Sequence, residues 1–120
     1  MVERRRQNRT ILGDFYRIYD HDTGELIGRI VNLSRYGFLT IGDIPVEERR
    51  DLRVELVYAD QQGRERRIPM RVECVWCRQS QYSDEYGGGF QIREIGEFDA
   101  IQVDRLVAEP QESGPTRPPA

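Results

Sequence analysis

Between residues 52 and 76 the chain alternates apolar and polar side chains twice, on either side of a short polar turn. That pattern restricts the possible folds more than any other feature. Leu52, Val54, Leu56 and Tyr58 fall on one face, with Arg53, Glu55 and Val57 between them. After Asp60-Gln61-Gln62-Gly63, the residues Ile68, Met70, Val72, Cys74 and Trp76 repeat the spacing against Arg67, Arg71 and Glu73. A period of two is that of a half-buried strand, and two such runs across a polar, glycine-containing turn read as an antiparallel hairpin. The apolar face of a hairpin needs a second layer to cover it.

The rest of the chain supplies that layer from short, similar pieces. Residues 15–20 read as a first strand, His21-Asp22-Thr23-Gly24 as its hairpin turn, and residues 26–33 as a second strand. Asn32 to Gly37 then turns the chain into a short strand at 38–41, and residues 42–51, with Pro45, read as a loop or a single helical turn. A polar loop at 78–86 precedes a last strand at 88–92. After Gly96, Ala100, Val103, Leu106 and Val107 have helical spacing. The expected fold is all-β with one C-terminal helix, a six-stranded antiparallel β-barrel. Side chains fill the interior of so small a barrel, so function is expected on its outside surface, its mouth or its ends. Residues 1–12 read as a flexible arginine-rich segment, 13–108 as the barrel with its closing helix, and 109–120, rich in Pro and Gly, as a disordered tail.

At 120 residues the chain is long enough for one core. No apolar run approaches the roughly 18 residues of a membrane-spanning helix, and the N-terminus lacks the apolar stretch of a secretion signal, so the expected location is cytoplasmic. Net charge is −3, but Arg4, Arg5, Arg6 and Arg9 crowd one end while acids dominate residues 84–104. The planar guanidinium fork recognises phosphates, carboxylates and guanine edges. An acidic chain with one basic end suits a small local anion better than a long polyanion. All the basic residues are arginine, which weakens any argument from arginine clustering alone.

Catalytic and metal chemistry find no residue set. Cys74-Val75-Trp76-Cys77 has C-x-x-C spacing, but on a regular strand residues three apart face opposite ways, so the two thiols are expected to diverge, Cys74 buried and Cys77 incidental. The single histidine, His21, sits in a distant turn, and there is no second cysteine pair to complete a zinc site. Gly87-Gly88-Gly89 precedes a strand rather than a helix and lacks the Lys-Ser/Thr of a phosphate loop, so a bulge or close strand crossing is the better explanation. No enzyme activity, cofactor or metal is expected.

Two segments together carry a resemblance. Arg5-Arg6-Gln7-Asn8-Arg9 is a complete R-x-x-x-R, and Asn32-Leu33-Ser34-Arg35-Tyr36-Gly37 is a complete [D/N]-x-S-x-x-G at the end of an early strand. With the Val/Trp strand at 72–77 and the Gly-Phe strand near the end, the chain resembles the PilZ domain over roughly residues 4–107. The PilZ domain is the bacterial receptor module for cyclic di-GMP. The resemblance implies that Arg5 and Arg9 bind phosphates and guanine edges, that Asn32 and Ser34 hydrogen-bond the ligand from the barrel, and that Gly37 leaves room for its approach. Arg4 and Arg6 extend the cluster, and an arginine just before the first motif residue implies two stacked ligands per chain. Trp76 either stacks on a guanine or fills the core. The resemblance further implies an arginine segment that is mobile until ligand draws it against the barrel, signalling to a protein partner. Two other readings compete. One is a PilZ-fold interaction adaptor without ligand, disfavoured by the intact motifs; the other is a small barrel binding single-stranded nucleic acid, disfavoured by the net acidity. No DNA, RNA or membrane partner is expected.

Overall fold

The computed structural model describes residues 16–108. Its elements are β1 (Arg17–Asp20), β2 (Leu26–Leu33), β3 (Gly37–Gly42), β4 (Asp51–Ala59), β5 (Glu65–Gln79), β6 (Tyr86–Ile95) and one helix, α1 (Glu97–Ala108). The six strands close into an antiparallel barrel in the order β1-β2-β3-β6-β5-β4. The expected fold class is therefore the observed one. The expected segments at 1–12 and 109–120 lie outside the described residues, as do Arg4, Arg5, Arg6 and Arg9. Among the described residues no helix is long and apolar enough to cross a membrane.

The hairpins form where the turn chemistry puts them. Asp20 Oδ1 accepts the backbone N–H groups of Asp22 at 2.8 Å and Thr23 at 3.2 Å, and Gly24 takes a φ of 77°. Asp60 Oδ1 likewise accepts from Gln62 and Arg64, both at 2.9 Å, before Gly63 at φ 82°. An aspartate that ties down its own turn and a glycine that tolerates positive φ fix both registers. From β3 the chain crosses the barrel end to reach β4, and this crossing is pinned to β5: Arg49 N–H donates to the Cys74 carbonyl at 2.6 Å, and Cys74 N–H donates to that of Arg50 at 3.0 Å.

The inward positions of the alternation make the core. Ile18, Ile30, Leu56, Val54, Val72 and Cys74 are completely or almost completely buried, and Phe38 stacks on Phe90 at 5.2 Å between ring centroids. Val103 of α1 is also buried against this cluster and Leu106 partly so, whereas Val107, expected on the same stripe, is exposed. The strands outrun their sequence signal. β5 is 15 residues long and β6 spans Tyr86–Ile95, where local pattern marks only residues 88–92. Glycine has low strand propensity, so Gly87 and Gly88 hide a strand that is hydrogen-bonded on both sides, to β3 and β5.

Four interruptions of register occur around the barrel, one of them at Ile27 of β2, where Ile18 faces Gly28 and Tyr19 faces Leu26. In β2, Ile30 faces Thr40 and Asn32 faces Leu39, leaving Val31 as an extra residue; in β5, Cys74 faces Phe90 and Trp76 faces Gly89, leaving Val75 extra. The fourth shift lies at the far end of β6, around Arg93. An extra residue inverts the side-chain phase of everything after it. Without the bulge at Val31, Asn32 would share the interior with Ile30. Without the bulge at Val75, Trp76 would follow Val72 and Cys74 inward.

Candidate functional site

The two bulges turn Asn32 and Trp76 onto one outer face, where they line a shared groove of about 400 Å³. Its floor follows the strand pairing. Asn32, Leu39, Gly89 and Trp76 form one cross-strand row over β2, β3, β6 and β5, and Gly37 and Gln91 form the start of the next. Ser34, Tyr36, Phe38, Val75 and Phe90 complete the lining. The structure thus brings together Asn32, Ser34, Gly37 and Trp76, the four sequence-derived site residues that fall within the described chain.

Each of the four has a distinct local role. The Asn32 carboxamide has no hydrogen-bond partner among the described residues. Ser34 is occupied by its own turn: its hydroxyl accepts the N–H groups of Tyr36 and Gly37, both at 3.2 Å, and donates to the Gly37 carbonyl at 3.3 Å. The expectation that Ser34 hydrogen-bonds a ligand is therefore joined by a structural duty that sequence alone did not reveal. Gly37 also serves the sheet, because a Cβ there would lie 2.2 Å from the Phe90 carbonyl oxygen, closer than any real contact. Trp76 lies across β6, where a Cβ on Gly89 would stand 2.1 Å from its indole nitrogen. Gly89 is thus the seat of the indole, and the strand contact expected of the glycine run is found there.

Among the described residues, most of the charges at the rim are already matched, Arg78 being the exception. Arg35 pairs with Asp104 of α1 at 3.5 Å and reaches over the Tyr36 ring, and the Arg78 guanidinium stands 6.0 Å from the centre of the Trp76 ring. Glu85 is paired with Arg29 at 3.3 Å, and Glu73 with Arg93 at 2.5 Å. None of the eleven lining residues is itself charged.

The cysteines differ from expectation. The Val75 bulge that turns Trp76 outward also returns Cys77 to the inner side, opposite Gly88, so the two thiols converge instead of diverging. Both meet Val46 of the crossing segment: Val46 N–H donates to Cys77 Sγ at 3.3 Å, and Cys74 Sγ lies 3.9 Å from the Val46 carbonyl oxygen. Burial, with the neighbouring Cys77 and Glu48 adding to it, pushes the Cys74 thiol up to about 11, so it stays protonated and inert. Among the described residues no cluster of three or more histidine, cysteine or carboxylate side chains stands ready for a metal.

Tyr36, Leu39, Val75 and Gln91 are lining residues that sequence reasoning missed. Tyr36 stood inside the motif, and alternation alone puts Leu39 outside. Val75 and Gln91 needed the strand order, which no local signal gives.

Among the described residues, a small barrel with a filled interior, a closing helix and an external groove beside an N-x-S-x-x-G turn defines an all-β module whose candidate site lies on the outside of the barrel. The PilZ domain model matches residues 3–109, and the chain belongs to the PilZ domain family. A solved structure of the Bacillus subtilis inhibitor of motility (MotI/DgrA) is similar, with a TM-score of 0.60 at 16% identity, over 82% of this chain and 47% of that one. The match thus spans less than half of that protein's length, and its low identity speaks for the fold alone. No curated protein matches the chain.

Proposed function

We propose that this domain is a cyclic di-GMP receptor whose binding site is completed by its own N-terminal arginines. The observation that carries the reading is a groove that unites Asn32, Ser34, Gly37 and Trp76 yet is lined without a single charge. A cyclic dinucleotide brings two phosphates, and a neutral floor offers them hydrogen bonds but no countercharge. Arg5 and Arg9 are the guanidiniums that answer this need.

Chain geometry supports the same assignment. Tyr16 lies beside Ile30, whose N–H donates to its carbonyl at 2.8 Å, so the chain enters β1 two residues from Asn32 along the edge of β2. The seven residues from Arg9 to Tyr16 reach at most about 25 Å when extended. That is several times the distance required. On ligand binding, the arginine segment packs over the groove and the ordered surface is what a protein partner reads. With Arg4 and Arg6 beside Arg5, four guanidiniums match the four charges of two stacked ligands.

Calorimetric titration with cyclic di-GMP tests the reading. Wild-type protein is expected to bind with a ratio of two ligands per chain, and Arg5→Ala or Arg9→Ala to bind none while keeping the wild-type circular dichroism. Equal affinity in wild type and both variants would remove the arginine clamp; one ligand per chain would remove the stacked pair.

A further inference from the structure

We propose that Gln91 is a second base-reading amide, which recognises one purine of the ligand while Asn32 recognises the other. This inference rests on the cyclic di-GMP reading above and adds a residue outside both sequence motifs.

It follows from asking which polar groups on the groove floor have hydrogen-bonding capacity to spare. Ser34 has little: its oxygen already accepts two N–H groups and its proton goes to the Gly37 carbonyl. The indole N–H of Trp76 lies against Gly89. Beside the Tyr36 phenol, which is largely exposed at the rim, two carboxamides remain, Asn32 and Gln91, neither with a hydrogen-bond partner among the described residues. Each offers a donor and an acceptor.

The surroundings of Gln91 leave it open to a ligand. Its cross-strand neighbour on β3 is Gly37, which has no side chain to cover it, and its outward neighbour on β6 is Gly89, over which the Trp76 indole lies as a wall of the groove. On the third side, β5, stands Glu73, whose carboxylate is held by Arg93. Gln91 is exposed and lines the groove, so its amide is accessible to a ligand bound there.

The separation of the two amides fits two bases. Gln91 lies two strands from Asn32 and one outward step along the sheet, which at the usual strand spacing and rise is roughly 12 Å between Cα atoms. That is too far for both to grip one purine edge. Leu39 and the backbone of Gly37 lie between them and give the bases an apolar bed. An amide set against a guanine Watson–Crick edge donates to O6 and accepts from N1–H, a pair of hydrogen bonds in one plane.

The test is calorimetry with cyclic di-GMP on wild type, Gln91→Leu, Asn32→Ala and the double variant, with thermal melts to verify folding. Gln91→Leu removes both hydrogen bonds from an exposed side chain and is expected to weaken binding about tenfold at unchanged melting temperature. Since the amides serve different bases, the double variant is expected to weaken binding by the product of the single effects. An affinity for Gln91→Leu equal to wild type overturns the inference and leaves the receptor reading standing. A double variant more than about threefold from the product overturns the assignment to separate bases. Absence of binding by wild type overturns the receptor reading and this inference with it.

Discussion

Replacing Gly89 with alanine is expected to dislodge Trp76, at a cost that the geometry fixes in advance. The added Cβ would lie 2.1 Å from the indole nitrogen and 2.7 Å from Cε2, so the ring has to leave the strand. A tryptophan covers on the order of 200 Å², and lifting one face uncovers about half of that, some 100 Å² or about 2.5 kcal/mol. Alanine recovers roughly 0.5 kcal/mol through its lower backbone entropy in the unfolded chain, which leaves a net loss of about 2 kcal/mol. For a domain of this size that is a fall of roughly 10 °C in melting temperature. Trp76 is the only tryptophan, so its fluorescence reports the event directly: the emission of Gly89→Ala is expected to shift to the red while wild type stays blue-shifted. Gly87→Ala is the internal control. A Cβ there meets the far side of the same ring at 3.5 Å, an ordinary contact, and stability is expected to stay level or rise slightly. Equal melting temperatures for the two variants, with unshifted emission in Gly89→Ala, would refute the account of Gly89 as the seat of the indole.

Other perturbations separate folding from binding. Ser34→Ala strips the turn of its hydroxyl and is expected to cost about 1 kcal/mol of stability as well as affinity, whereas Asn32→Ala lowers affinity alone; urea titration beside calorimetry distinguishes them. Hydrogen bonds from Arg67 and His21 hold the Glu55 carboxyl below its ordinary value. A carboxyl with a lower pKa folded than unfolded contributes stability above its unfolded pKa and loses it as pH falls through the folded one. The urea midpoint is thus expected to drop through the acid carboxylate range, less steeply in Glu55→Gln. Alkylation at mildly alkaline pH is expected to modify Cys77 and to spare Cys74, which burial keeps protonated, until denaturant opens the barrel; equal rates at the two thiols would contradict that burial.

Strand order decides what was legible beforehand. The inward faces of β4 and β5 could be read from period two, and both hairpin turns from an aspartate and a glycine whose chemistry is local. The motif residues were legible because they share one turn. Bulges were not. An extra residue at Val31 or Val75 is a relation between two strands, invisible in either alone, and it decides whether Asn32 and Trp76 face solvent or core. The same relation misled the reading of Cys77, which strict alternation sent outward. Gln91 stayed hidden for a related reason: its significance comes from its neighbours across the sheet and along the strand, the side chain that Gly37 lacks and the Trp76 indole seated on Gly89.

Closure of the strand ring has a consequence for how this domain meets other proteins. With β1 hydrogen-bonded to both β2 and β4, the ring of six strands closes, and each strand has a neighbour on both sides for at least part of its length. Little of the sheet is left open for a partner to extend by adding a strand, a recurring way in which β proteins capture an extended peptide or a second copy of themselves. Recognition is left mainly to side chains and to whatever lies over the groove. A signal that rearranges those surfaces therefore changes everything a partner can touch, while the hydrogen-bonded cylinder beneath stays constant.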